Sequence, residues 1–91
     1  MRSLPNNLTS YKKTPVFDQR SVPAGLLKSH STKEGTWAKI QVIEGELLYR
    51  ILEPTTEEVV LNTALSGVVE PTIAHEIAPL GNVKFFVEFF K

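Results

Sequence analysis

Two histidines and a late glutamate are the residues of this chain best suited to chemistry: His30, His75 and Glu88. Two imidazoles and a carboxylate on one face of a sheet can hold Zn, Fe(II), Mn or Ni while leaving coordination positions open for water or a ligand. Glu88 lies between Phe86 and Phe90 on one face of a strand pattern, where an acidic side chain is costly to bury unless it is paired or metal-bound. The three residues form a candidate divalent-metal site of undetermined metal identity.

The same residues also have an ordinary structural interpretation. His30 borders a polar loop and can be solvated, while His75 can cap a turn. Glu88 can instead point outward and pair with Lys39 or Lys84 on a neighbouring strand. Three further carboxylates are substitute metal ligands: Glu34, Glu44 and Glu76.

Several other chemistries are excluded by what the chain lacks. It contains no cysteine, so it has no disulfide, no thiolate ligand and no thiol nucleophile. The run Ser29-His30-Ser31 is not a catalytic triad, because neighbours in sequence do not make one, and no Gly-x-Ser-x-Gly elbow occurs. There is no phosphate-binding loop. No catalytic residue is assigned, and whether the protein is an enzyme stays open.

Composition indicates one small soluble domain. The chain has 91 residues, of which 42% are hydrophobic, enough for a single core. It lacks the apolar core of a signal peptide and any run long enough to span a membrane, so we expect a cytoplasmic protein without a membrane partner. The formal net charge is zero, which gives no reason to expect nucleic-acid binding.

Charge is nevertheless unevenly distributed along the chain. Residues 1–45 contain seven Lys/Arg and three Asp/Glu, and residues 46–91 contain three and seven. If the halves interleave in one fold, the result is a self-complementary surface. The alternative interpretation is a basic patch for a small anionic ligand.

The elements that position these residues are all predicted to be strands. Residues 1–20 are polar and contain two prolines, which predicts an irregular arm with one short edge strand around 11–17. In the domain that follows, residues 21–91, alternation predicts a short strand at 26–30 and a regular one at 36–43. Glu44-Gly45 is typical of a hairpin turn leading into a partner strand at 46–52. Three later strands are predicted, around residues 59–61, 67–69 and 83–90.

Several short strands separated by Gly and Pro turns predict an all-β fold, a barrel or jelly-roll sandwich, and closing the sheet would remove exposed edges. The pattern also resembles the small cupin-like domain related to the N-terminal part of TehB-type tellurite-resistance proteins. Four blocks carry the resemblance: residues 30–37, 42–49, 71–75 and 85–90.

The resemblance implies a stand-alone cupin-like β-barrel linked to tellurite or stress resistance. In some relatives this domain precedes an S-adenosylmethionine-dependent methyltransferase, but no glycine-rich nucleotide loop occurs in this chain, so that activity is not carried over. Metal-binding cupins have a His-x-His pair, a Glu and a further His. Here Thr32 stands where the second histidine would be, so a metal site must be built differently.

Three functions follow from the residues and this resemblance. The first is a binding or sensing module for a metal or small molecule, and the alternative is a small metal-dependent enzyme acting on a small molecule. The third is a structural or interaction subunit whose exposed strand and N-terminal arm mediate a homodimer. Trp37 and Tyr49 are candidates for a pocket mouth, although ordinary packing is the commoner role. Because a domain this small buries a modest share of its surface, we also expect a homodimer, with the apolar last strand as a pairing surface.

Overall fold

Two long antiparallel strands form the frame of the protein in a computed structural model that describes residues 1–91. These strands, β3 and β6, pair from Trp37 opposite Phe90 to Ile51 opposite His75. The short strands β1 and β2 pair with β6, and β4 and β5 pair with β3. In chain order the strands are β1 Ser10–Lys13, β2 Phe17–Asp18, β3 Trp37–Ile51, β4 Glu57–Leu61, β5 Gly67–Val69 and β6 His75–Phe90.

The prediction of an all-β fold is confirmed, since the one helical element is a 3-10 helix, Ala24–Leu27. The six strands form one sheet in the order β1-β6-β3-β4, with β2 beside β6 and β5 beside β3. This sheet is not closed, so unlike an ideal barrel it keeps edges. β6 pairs with β3 on one side and, within residues 84–90, with β1 and β2 on the other, so this part of the last strand has no free edge. The homodimer stays a prediction.

The predicted hairpin at Glu44-Gly45 is wrong, because β3 runs straight through these residues. The pairing register with β6 shifts on both sides of them, between Val42 and Glu44 and between Gly45 and Leu47. Gly45 has φ +81°, and a Cβ there would clash with the backbone oxygen of Asn82. The glycine thus permits a bulge in close contact with the facing strand instead of a turn.

The bulge explains how one strand serves a single core along its whole length. Before it, the even-numbered residues Ala38, Ile40 and Val42 are buried; after it, the odd-numbered Leu47 and Tyr49 are buried. An extra residue shifts the alternation by one, so that both halves of β3 present apolar side chains to the same side. The core is one cluster of eleven residues: Ala38, Ile40, Val42, Leu47, Tyr49, Leu61, Val69, Ile77, Val83, Phe85 and Val87.

The early part of the chain lies against β6. The predicted edge strand near 11–17 corresponds to β1 and β2, which both pair with that strand. The predicted strand at 26–30 is wrong: Pro23 leads into the 3-10 helix, and His30 alone makes an isolated bridge to His75. No helix here has the length and apolar character needed to cross a bilayer.

Candidate ligand-binding site

An apolar cavity of about 270 Å³ lies within the fold. The 3-10 helix contributes Gly25 and Leu26, while β3, β5 and β6 contribute alternate inward residues. This origin follows from the period of two in a strand, which places every second side chain on the inner face. The lining residues are Thr14, Phe17, Pro23, Gly25, Leu26, His30, Thr32, Ala38, Ile40, Val69, His75, Ile77, Val87 and Phe89.

The structure brings the two histidines together. The backbone N–H of each donates to the carbonyl oxygen of the other, and both bonds are 2.8 Å long. This bridge fixes the two residues opposite one another, with ring centroids 5.4 Å apart and planes at 84°. Both side chains line the cavity.

His75 is the buried member of the pair, with 5% of its surface exposed. Its ring also packs edge-on against Tyr49, with centroids 5.7 Å apart. Burial lowers the pKa of His75, and the neighbouring His30 lowers it further, against an opposing effect of the hydrogen bond to the Ile73 carbonyl. The ring therefore favours its neutral form.

The hydrogen bond also selects the tautomer of neutral His75. Nδ1 lies 3.2 Å from the carbonyl oxygen of Ile73, which can only accept, so Nδ1 bears the proton. Nε2 is then an acceptor, and it has no hydrogen-bond partner in the protein. Since no buried side-chain nitrogen lacks a partner, Nε2 must be open to solvent or to the contents of the cavity.

The two threonines in the lining are already engaged. The Thr14 hydroxyl donates to the Pro15 carbonyl and accepts from the Val87 N–H, each at 2.9 Å. The Thr32 hydroxyl donates to the Thr36 carbonyl at 2.7 Å. The imidazoles are consequently the side chains of the cavity best able to form a hydrogen bond with a ligand.

Glu88 is not brought to the histidines. It follows Val87, which lines the cavity, so strand alternation places Glu88 on the outer face of β6. There its Oε1 accepts a hydrogen bond of 2.6 Å from Gln41 Nε2, and Lys39 lies opposite it in the register. Glu88 therefore points outward, away from the two histidines.

The substitute ligands are also dispersed. Glu76 accepts from Arg50 Nη1 at 2.7 Å, Glu44 is exposed, and Glu34 lies in a groove outside the cavity. No group of three or more His, Asp or Glu side chains is placed to hold a metal ion. The residues present thus do not fit the three-ligand site that the sequence suggested.

The two aromatic residues suggested for a pocket mouth, Tyr49 and Trp37, lie in different environments. Tyr49 belongs to the core, is 2% exposed and donates a hydrogen bond of 3.0 Å to the Val68 carbonyl. Burial raises the pKa of its phenol. Trp37 is half-buried and does not line the cavity. The apolar lining from Ile77 and Val69 was not predicted as a site, because strand alternation indicates only which side chains face inward.

Outside the cavity lies an open groove of about 720 Å³, here called the lysine groove. Three of its residues, His30, Thr32 and Phe89, also line the cavity, so the two spaces are adjacent. The complete lining is Tyr11, Lys12, His30, Ser31, Thr32, Lys33, Glu34, Gly35, Thr36, Phe89 and Lys91.

Comparison with solved structures defines the class of protein. The crystal structure of a cupin-2 domain-containing protein from Shewanella frigidimarina NCIMB 400 superposes with a TM-score of 0.54 at 12% identity, covering 94% of this chain and 72% of that one. The structure of Fe(II) HppE gives a TM-score of 0.62 at 22% identity, over 82% of this chain and 40% of that one. The fold is therefore cupin-like, as predicted.

Within that class the chain belongs to the TehB-like domain family, which it matches over residues 12–87. TehB of Haemophilus influenzae strain KW20 Rd, named as a probable S-adenosyl-L-methionine-dependent methyltransferase, is 31% identical over 81 residues. The aligned region is 85% of this chain and 28% of TehB. The predicted family membership is confirmed, and the chain spans less than a third of that relative.

Two structures reproduce the whole fold. The crystal structure of Haemophilus influenzae TehB superposes with a TM-score of 0.86 at 28% identity, over 93% of this chain and 32% of that one. A protein from Escherichia coli strain K12 superposes with a TM-score of 0.89 at 21% identity, over 100% of this chain and 97% of that one. The domain is thus found both as part of a larger chain and as almost all of a small one.

Proposed function

We propose that this cupin-like domain is a binding module that holds a small molecule in the cavity between β3, β5 and β6. The observation that supports the proposal is an apolar cavity of about 270 Å³ whose lining includes two imidazoles. Apolar walls with a few polar groups are the usual composition of small-molecule sites. The walls supply affinity, and the histidines orient the ligand.

The cavity suits a ligand smaller than a typical drug. An apolar cavity of about 150 Å³ is enough for benzene, whereas drug-sized ligands occupy roughly 300–1,000 Å³. A ring with a short chain, or a branched aliphatic group, matches the volume seen here. A donor on such a ligand can bond to His75 Nε2, which is otherwise without a partner.

A fragment screen followed by NMR tests this function. Neutral aromatic and branched aliphatic fragments are expected to shift the methyl resonances of Ile40, Ile77 and Val87, which line the cavity. Ala38→Leu adds volume inside the cavity and should abolish these shifts. Ala64→Leu, at an exposed position, is the matched control and should leave them unchanged. If no fragment moves the cavity resonances, or if Ala38→Leu binds as the parent does, the proposal fails.

Metal binding at the histidine pair is the second candidate function, with metal-dependent chemistry as its extension. It is favoured by the approach of the two rings and by the iron named in the Fe(II) HppE structure, a protein of similar fold. Because Glu88 lies on the outer face, any further ligands would come from water or from the bound molecule.

Metal analysis of protein purified without chelator separates the two candidates. Metal binding predicts near-stoichiometric Zn, Fe, Mn or Ni that is lost in His30→Ala and in His75→Ala. Glu88→Ala is the matched control and should keep the metal, since that carboxylate bonds to Gln41. Protein that folds and binds fragments without metal would refute this candidate alone.

We also propose a homodimer, for which the small size of the domain is the physical reason. The test is sedimentation of the whole chain against a chain lacking residues 1–9, which precede β1. A concentration-dependent dimer is expected for the whole chain. A monomer at every concentration would contradict it.

A further inference from the structure

We propose that the ligand is a small amphipathic anion, with its apolar part in the cavity and its anionic head in the lysine groove beside His30. This inference rests on the proposed small-molecule binding and adds the chemical class of the ligand. Three features support it: the cavity and the lysine groove adjoin, the groove is positively charged, and the cavity wall has no lysine, arginine or carboxylate side chain.

The first feature is the junction between the cavity and the lysine groove. His30, Thr32 and Phe89 line both spaces, so a molecule in the cavity has the groove immediately beside it. The Thr32 hydroxyl is occupied by the Thr36 carbonyl, whereas the His30 ring makes no hydrogen bond within the protein. An imidazole at the junction can donate to a head group that leaves the cavity.

The second feature is unpaired positive charge. Lys12, Lys33 and Lys91 line the groove, and Glu34 is its only acidic side chain. None of the three lysines has a carboxylate within the 4.0 Å of an ion pair, because the ion pairs of the protein involve Met1, Arg2 and Arg50. Lys91 instead lies 4.4 Å from the centre of the Tyr11 ring. The side chains of the groove therefore have a net positive charge, three lysines against one glutamate, and none of the lysines is in an ion pair.

The third feature is the absence of lysine, arginine and carboxylate side chains from the cavity wall. An ion inside an apolar cavity without an opposite charge is strongly disfavoured. A charged ligand must therefore keep its charge outside, and the adjoining groove favours a negative one. An amphipathic anion satisfies both spaces at once.

Three isosteric probes test the inference: phenylpropionate, phenylpropanol and phenylpropylamine. Their apolar parts are alike, and their heads are anionic, neutral and cationic. We expect phenylpropionate to bind about tenfold more tightly than phenylpropanol at low salt, since each exposed lysine adds a modest attraction. The amine should bind weakest, and salt should reduce the preference because it screens exposed charges.

Variants locate the preference. In Lys12→Gln/Lys33→Gln the affinity for phenylpropionate should fall about threefold or more, while that for phenylpropanol stays unchanged. The matched control, Lys28→Gln/Lys84→Gln, removes the same charge from exposed lysines outside both spaces and should leave both affinities near those of the parent.

The outcomes separate this inference from the function on which it rests. Cavity binding of phenylpropanol with equal or weaker binding of phenylpropionate would overturn the inference and leave small-molecule binding standing. So would equal losses in the two lysine double variants. Failure of all three probes and of the neutral fragments to reach the cavity would overturn both.

Discussion

Two grooves of the molecule carry opposite charge, and they differ in how that charge is used. The lysine groove has three lysines without ion-pair partners. A second groove, here called the N-terminal groove, contains Glu53, Glu57 and Glu70, and all three have partners. Its complete lining is Met1, Arg2, Tyr49, Ile51, Glu53, Pro54, Thr55, Glu57, Val68, Glu70 and Ile73.

The partners in the N-terminal groove join distant parts of the chain. Glu57 accepts a hydrogen bond of 2.6 Å from the amino group of Met1, and Arg2 lies 3.6 Å from Glu70. Glu53 accepts the backbone N–H of Ala74 at 2.8 Å. These charges connect β4, β5 and the start of β6 to the rest of the fold. Charge in the N-terminal groove is thus used in contacts within the protein, whereas the lysines of the lysine groove have no ion-pair partner.

The largest expected contrast is between the two tyrosines of the grooves. Tyr49, in the N-terminal groove, is 2% exposed, whereas Tyr11, in the lysine groove, is 47% exposed. Tyr49→Ala should lower the free energy of unfolding by about 3–5 kcal/mol because it empties part of the core. Tyr11→Ala loses an exposed contact with Lys91 and should cost about 0.5–1 kcal/mol.

Urea denaturation of both variants measures this contrast. If Tyr49→Ala proves too unstable to purify, Tyr49→Phe keeps the ring and removes the bond to Val68, with an expected loss of about 1 kcal/mol. Equal losses at Tyr49 and Tyr11 would show that both grooves contribute to the fold alike.

The next effect concerns His75, whose ring packs against Tyr49 of one groove and His30 of the other. Its pKa in the folded protein is lowered from the ordinary value of 6.5, chiefly by burial. As the pH falls below 6.5 the unfolded state therefore takes up the proton first. The free energy of unfolding should fall by at most about 1.4 kcal/mol per pH unit from this group, and the loss ends below the folded-state pKa.

Denaturation between pH 7 and pH 5, in parallel for His75→Asn and His30→Asn, checks this sign. The slope below pH 6.5 should diminish in His75→Asn and persist in His30→Asn, whatever the absolute stability of either variant. A slope that survives in His75→Asn would assign the pH dependence to other groups.

A smaller contrast is expected between two exposed glutamates. Glu53→Ala leaves the Ala74 N–H without its acceptor and should cost about 0.5–1.5 kcal/mol. Glu34→Ala, in the lysine groove, removes no hydrogen bond and should change stability by no more than about 0.5 kcal/mol. Hydrogen exchange of the Ala74 amide should accelerate in Glu53→Ala alone. Unchanged exchange there would show that the bond to Glu53 does not protect the Ala74 amide.

The sequence predicted those parts of the fold that depend on local alternation. Alternation predicts a strand at 36–43, and Ala38, Ile40 and Val42 of this strand are buried together. Gly45 was misassigned because a glycine with positive φ suits a hairpin turn and a bulge equally. The deciding neighbour is Asn82, far away in sequence, so no local pattern distinguishes the two.

The sequence predicted only part of the candidate site, again because local patterns do not show which distant residues meet. His30 and His75 do meet, but Glu88 could have been excluded, since alternation separates it from Val87. The flanking Phe86 and Phe90 suggest a buried face, whereas this outer face of β6 is only partly covered. The cavity itself was not predictable, because its volume depends on how the 3-10 helix packs over the sheet.

The smallest expected effect tests whether ion pairs or backbone bonds make the N-terminal groove structural. Arg2 is 76% exposed and lies 3.6 Å from Glu70, so solvent and salt screen the pair. Arg2→Ala should lower the free energy of unfolding by no more than about 0.5 kcal/mol, and the difference should vanish at high salt. Lys33→Ala, the matched change in the lysine groove, should lower the free energy of unfolding by an equally small amount. Its main expected effect is on the affinity for phenylpropionate. If Arg2→Ala lowers the free energy of unfolding more than Glu53→Ala does, exposed charge pairs stabilise this groove more than the hydrogen bond to Ala74.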